Sequence, residues 1–229
     1  MTQKLDIAVH DASGLHPVTL DVTRVYNLGF TIRDRAQMQR HLDEVVGVSV
    51  AWPEKPPVIF PISCWATLIT DDVPVQYETT SGEIEIVMIK QDGKLFVTCG
   101  SDHTDRELEK TDIPWGKQVT PNIFAPTVWN WEEVKDHWDQ VEMESYVDGE
   151  LYQKASVAEF WSPDEIVRSV QGRIPESEGA TILFSGTVVS VNGVMDFGLN
   201  WSLRMTDPVL DRTIRHDYTV TVLSNEIDI

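Results

Sequence analysis

Gly82-Glu83-Ile84-Glu85 and Gly100-Ser101-Asp102-His103-Thr104-Asp105-Arg106 are the two segments whose reading decides the fold. Each ends or begins a run of β-forming residues. Glu83 to Ile89 and Leu95 to Cys99 read as strands, and Gln91-Asp92-Gly93 between them is a hairpin turn. Side chains alternate along a strand, so Glu83 and Glu85 share one face while Ile84 and Ile86 point to the core. Same-face neighbours are roughly 6–7 Å apart, close enough for both carboxylates to lean onto one cation. Asp102 follows after one hairpin and completes an all-oxygen set. Such ligands suit Mg²⁺ or Mn²⁺, with Ca²⁺ also compatible, and they do not suit zinc. An amphipathic strand with a solvated face has the same Glu-x-Glu pattern, so this pair alone leaves both readings open.

Outward from this hairpin the chain is mostly strand. Leu5 to Val9 and Val18 to Val22 flank a break at Asp11-Ala12-Ser13-Gly14. Asp34 caps a predicted helix from Arg35 to Val46, striped by Met38, Leu42, Val45 and Val46. Pro53, Pro56, Pro57 and Pro61 mark an extended linker. Glu142 to Val147 and Leu151 to Gln153 form a second hairpin about Asp148-Gly149. Ser162-Pro163-Asp164-Glu165 is a capping box that opens one helix, stopped at Gly172, and Thr181 to Phe184 returns to strand. A last hairpin alternates Trp201, Leu203 and Met205 against Ile214, Tyr218, Val220 and Val222. The reading is one mainly β (α+β) domain over residues 1–229. Residues 1–56 form a small N-terminal α/β portion with a lid-like helix, and residues 57–229 form the core that carries the metal site.

Composition limits the function. The 229 residues are 41% hydrophobic, enough for a substantial core, and carry a formal net charge of −19. That sign excludes nucleic acid and anionic membrane surfaces as natural partners. An anionic substrate then needs a local positive centre. Cys64 and Cys99 suggest free thiols, with no disulfide framework. With no signal-like stretch and no long apolar run, the expectation is a soluble, cytoplasmic protein. Eight tryptophans, among them Trp52, Trp129, Trp131 and Trp138, exceed what a core of this size obviously needs. Surface aromatics mark interfaces, so the expectation is a homodimer.

Glu83-Ile84-Glu85, Asp102-x-Thr104-x-Arg106, Trp115-Gly116-Lys117 and Ser185-Gly186-Thr187, in this order and spacing, resemble the fumarylacetoacetate hydrolase family. The likeness runs from about Pro57 to Thr187. More narrowly, the chain resembles an uncharacterised bacterial branch of small proteins of unknown function. The resemblance implies a β-roll fold, a dimer, and a divalent cation held by Glu83, Glu85 and Asp102. It also implies a pocket lined by Lys117 and Thr187. His41 and Glu44 fall where some relatives place a water-activating pair on a closing segment; an exposed i,i+3 pair on a surface helix has the same sequence. Arg106 either orients an anionic substrate or forms a salt bridge to the carboxylates. His103 stands beside the ligands or points away. Trp129 and Trp131 form an aromatic pocket wall or pack in the core.

Three departures surround the implied pocket. Ile59-Phe60-Pro61-Ile62-Ser63 replaces a common Lys-Pro, Val188-Val189-Ser190-Val191 replaces a glycine-rich loop, and Glu109 stands where relatives commonly have a substrate-reading Gln. The expected activity is a metal-dependent hydrolase or lyase acting on a small anionic oxo-acid or dicarbonyl compound through an enolate. Two other readings remain beside it: a non-catalytic metal- or metabolite-binding protein, and a C–N or C–O bond hydrolase.

Overall fold

The computed structural model describes residues 2–36, 39 and 53–226. At its centre is the hairpin of β7 (Ile84–Gln91) and β8 (Lys94–Asp102). Its turn is made by Asp92 and Gly93 at φ 50° and 75°, the left-handed pair that matches the twist of the flanking strands. Strands β1 (Gln3–Asp11) and β2 (Gly14–Gly29) pair antiparallel, and β14 (Ala180–Phe184) joins β2 to β7. β11 (Thr127–Asn130) pairs with both β1 and β8 and so closes six strands into a barrel. Ile7, Val22, Ile182, Val87, Phe96 and Val128, one from each of these strands, belong to the apolar cluster that fills it. β10 (Asn122–Phe124) extends β8, followed by the short β4 (Thr67–Leu68).

A second sheet lies against the barrel, in the order β13 (Glu150–Ser156), β12 (Glu142–Val147), β15 (Asn200–Asp207), β16 (Arg212–Val222) and β5 (Asp72–Val75). Ile84, Ile86 and Met88 pack with its Met143, Leu203 and Ile214. Alternate residues of β7 therefore go to two different cores, Val87 and Ile89 to the barrel and Ile84, Ile86 and Met88 to the layer between the sheets. Each fully buried Ile or Val side chain contributes about 1.5–3 kcal/mol, so β7 is clamped from both faces. A two-stranded piece, β6 (Thr80–Ser81) with β9 (Thr104–Asp105), sits beside the start of β7.

Several local expectations change. The proline-rich linker includes β3 (Val58–Ile62), which pairs with β2 as an edge strand, where a proline is tolerated. The capping box at Ser162 does open a helix, but it is not alone. Single-turn or slightly longer helices α1 (Arg106–Glu109), α2 (Ile113–Gln118) and α3 (Trp131–Val134) precede α4 (Pro163–Val170). The first three are too short to show a helical period; their caps, Asp105, Asp112 and Asn130, were the available signal. Trp129, Trp131 and Trp138 are core residues, 0%, 3% and 2% exposed, and so are no motive for an interface; Trp131 and Trp138 back a cleft that Glu83, Glu85 and Asp102 do not line. Trp131 meets Trp138 edge to face at 5.3 Å, and the Arg212 guanidinium lies 4.9 Å from the Trp129 ring centre. Trp52 lies outside the described residues. Cys99 is buried, Cys64 half-buried, and both are free. Among the described residues no helix is long and apolar enough to cross a membrane.

Gly100 faces Glu85 across the hairpin. A Cβ there would lie 2.5 Å from the Ile123 carbonyl oxygen and 2.6 Å from Val87 Cγ2. The carbonyl belongs to β10 and cannot yield without breaking its pairing. Gly100→Ala is therefore expected to cost about 1–3 kcal/mol. Urea denaturation measures it, and an unchanged midpoint would refute the close approach.

Candidate metal centre

Glu85 has the strand parity of Val87 and Ile89, so it faces the barrel side at the barrel's mouth. Asp102 shares the parity of Phe96 and Gly100 on β8, and its N–H donates to the Glu83 carbonyl at 3.2 Å. The hairpin register thus sets Asp102 opposite Glu83 and Gly100 opposite Glu85, where the missing side chain lets the Ile123 carbonyl of β10 approach closely. One ligand oxygen from each of Glu83, Glu85 and Asp102 lies within 4.8 Å of the others. The three are 6%, 1% and 0% exposed, which rejects the solvated-face reading. Gly186, at φ 88°, turns the chain after β14 and donates its N–H to Glu85 Oε2 at 2.9 Å. Only glycine fits that turn, because a Cβ would also meet the Leu28 carbonyl at 2.7 Å.

The two short helices bring the charges. Gly116 lets α2 close onto α1: a Cβ there would lie 2.9 Å from the Asp105 carbonyl and from the Glu109 backbone. Arg106 then reaches Glu83 Oε1 at 2.9 Å and Glu109 Oε2 at 2.7 Å. Lys117 Nζ bonds Asp102 Oδ2 and stands 3.8 Å from Glu83 and 4.0 Å from Glu109. The salt-bridge reading of Arg106 describes this arrangement. Glu109, whose place in relatives is commonly a Gln, adds a fourth buried carboxylate.

Among the described residues, four buried carboxylates gather about two buried cations, a surplus of negative charge that a divalent ion would offset. Burial, with the Asp102 charge behind it, pushes the Glu85 carboxyl well above the usual carboxylate range, against the pull of Lys117 and the Gly186 N–H. Asp102 is raised by burial in the same way, despite Lys117. For Lys117 burial opposes the charge, yet Asp102, Glu83 and Glu109 outweigh it and keep the ammonium protonated. The donor set fits a hard cation, and the triad could hold one.

Other candidates are placed differently. Thr187 donates its hydroxyl to the Ile84 carbonyl at 2.7 Å and accepts from Gln153 at 2.9 Å, so it braces the ligand strand. His103 points away from the triad: its Nε2 meets Thr80 Oγ1 at 3.0 Å and its ring stands edge-on to Trp201 at 5.7 Å. Burial, helped by Arg106, holds His103 neutral with a pKa of about 3. His41 and Glu44 lie outside the described residues. Two clefts of about 530 and 500 Å³ lie elsewhere on the molecule, and the triad lines neither. The centre is identified by its chemistry, not by the size of an opening. Sequence reasoning missed Ser101, whose hydroxyl accepts the Glu83 N–H at 3.0 Å, and Gln153; a buried polar residue in a strand gives no pattern of its own.

A family described as "Protein of unknown function (DUF2848)" matches residues 28–218. A search of the curated proteins gave no match. Among solved structures the chain is similar to fumarylpyruvate hydrolase from Pseudomonas aeruginosa in complex with Mn²⁺ and pyruvate. The identity is 19%, with 96% of both chains covered and a TM-score of 0.65. It is also similar to 2-keto-3-deoxyarabinonate dehydratase at 17% identity, covering 93% of this chain and 79% of that one, TM-score 0.62. A third is 5-carboxymethyl-2-hydroxymuconate delta-isomerase from Mycobacterium smegmatis, at 15% identity with 92% and 82% covered, TM-score 0.60. The likeness is one of fold, and the fold is fumarylacetoacetate hydrolase-like and mainly β.

Raised carboxyls make the metal-free protein take up protons that the unfolded chain would release. Its stability therefore declines as pH rises from the ordinary carboxylate range through the raised folded value. A cation that neutralises the centre reverses this. Mn²⁺ at a hundredfold excess over its Kd is expected to stabilise the fold by about 2.7 kcal/mol at neutral pH. The gain should shrink in mild acid, where protons compete. Thermal unfolding with and without Mn²⁺ at both pH values checks this, and a larger gain in acid would contradict it.

Proposed function

This chain belongs to the DUF2848 family, and from that premise we propose that it is a cytoplasmic, divalent-metal-dependent hydrolase or lyase of small oxo-acids or dicarbonyl compounds. The observation that carries the proposal is the buried Glu83, Glu85 and Asp102 triad, whose oxygens converge at the barrel mouth. These three would hold Mg²⁺ or Mn²⁺. When bound, the cation supplies Lewis-acid withdrawal of charge from neighbouring carbonyl and carboxylate oxygens, the chemistry an enolate needs. The Pseudomonas aeruginosa fumarylpyruvate hydrolase of similar fold, solved with Mn²⁺ and pyruvate, supports the choice of metal and of substrate class.

The chain's own groups divide the remaining work. Lys117 is held protonated, so it serves as a fixed positive charge that draws the substrate carboxylate in, not as a base. Arg106 already spends its guanidinium on Glu83 and Glu109, and it acts on substrate through them. Glu109, buried and bonded to Arg106, is assigned contact with a substrate hydroxyl group. Thr187 fixes the strand between the two glutamates and lines the pocket behind them. His41 and Glu44 are assigned the activation of a water, which would make the reaction a hydrolysis.

Lys117→Met is expected to lower kcat/KM at least ~100-fold on a 2-oxo-acid substrate. Mn²⁺ affinity should hold or rise, because Asp102 loses a competing cation. Equal activity of wild type and variant would remove Lys117 from the mechanism. Wild type that binds Mn²⁺ and oxalate but turns over no member of a 2-oxo-acid panel would convert the proposal into metabolite binding. Homodimerisation belongs to the proposal through the likeness of fold. Light scattering tests it, and a mass near the 25.9 kDa chain would reject it.

A further inference from the structure

β14 pairs with β7 only from Val87 to Lys90. Beyond Phe184 the partner strand ends and the chain turns at Ser185 and Gly186. The backbone groups of Ile84 and Ile86 on that edge of β7 lose their ladder partner just where the strand carries its ligands. Side chains replace it. Ser185 donates its N–H to the Ile86 carbonyl and accepts the Ile86 N–H on its hydroxyl, both at 3.0 Å. One residue pair further on, Gln153 Oε1 accepts the Ile84 N–H at 2.9 Å and Thr187 Oγ1 donates to the Ile84 carbonyl at 2.7 Å.

Gln153 comes from the second sheet, and a β-bulge aims it. The pairing of β12 with β13 slips at Ser145 and Tyr146, so Tyr152 is an extra residue and both Tyr152 and Gln153 are buried in a strand that otherwise alternates. Every hydrogen-bonding position of the amide is used. Besides Ile84, its oxygen accepts from Ser145 Oγ at 3.1 Å, and its nitrogen donates to Thr187 Oγ1 at 2.9 Å and to the Val188 carbonyl at 2.7 Å. The group is 2% exposed and rigid.

We propose that Gln153 is a positioning residue of the metal centre: its amide stands in for the missing strand at Ile84 and so sets the angle at which the flanking Glu83 and Glu85 converge. The inference rests on the metal reading of the triad. Gln153→Met keeps the side-chain length and removes all four hydrogen bonds. It is expected to weaken Mn²⁺ binding, read by EPR counting of free Mn²⁺, by about 10–100-fold. Ser145→Ala touches the clamp only through the Gln153 oxygen, and it should weaken binding several-fold in a fully folded protein. Val147→Ala opens a cavity in the same sheet without touching this network; it should lower Tm and leave Mn²⁺ affinity unchanged, which separates positioning from general loss of stability.

Wild-type Mn²⁺ affinity in a folded Gln153→Met would overturn the inference alone. If Gln153→Met does not fold, wild-type affinity in Ser145→Ala overturns it. Wild-type protein that binds no Mn²⁺ overturns the metal reading itself, and this inference with it.

Discussion

The constraint on which the molecule turns is electrostatic: among the described residues, Glu83, Glu85, Asp102 and Glu109 are buried together about the two cations Arg106 and Lys117. Removing a partner from a buried ion pair costs on the order of 3–5 kcal/mol. A buried cluster with more carboxylates than cations is therefore tolerable only if the fold holds it firmly or a cation completes it. The raised carboxyls of Glu85 and Asp102 express that unmet demand. A chain selected for stability alone would have replaced the cluster with apolar side chains.

The firmness comes from the position of β7. Its even-numbered residues feed the layer between the sheets and its odd-numbered ones feed the barrel interior, so neither face is free to relax. The ligands sit at the end of this clamped strand, where Glu85 continues the barrel-facing series after Val87. Close backbone approaches complete the frame. Gly100 lets β10 approach the strand opposite Glu85, Gly116 brings the two charged helices together, and Gly186 turns the chain so that an N–H meets a Glu85 oxygen. Apolar burial, backbone geometry and charge thus act on the same few residues.

Legibility divides along physical lines. The hairpins at Asp92-Gly93 and Asp148-Gly149, the capping box at Ser162 and the alternation of the last hairpin were readable, because each is fixed by residues within a few positions of one another. The convergence of the three carboxylates was readable as a pattern because β7 and β8 are neighbours in sequence and their register follows from the turn. The tryptophans misled: composition says how many large aromatics exist, and only packing says that Trp129, Trp131 and Trp138 are covered. The short helices α1 to α3 escaped notice since one turn carries no period.

By itself, the sequence determined the long hairpins, their turns and the set of carboxylates that share one face, since strand parity and turn chemistry act over two to four residues; the short strands and the barrel-closing β11 it did not. Tertiary structure alone decided that the carboxylates are buried and that Arg106 is paired to Glu83 and Glu109. It alone decided that His103 faces away, and that Gln153, fifty-one residues beyond Asp102, closes on Ile84. Those outcomes depend on which sheet lies against which, and burial and hydrogen bonding between elements distant in the chain exist only once the barrel has closed and the second sheet has docked.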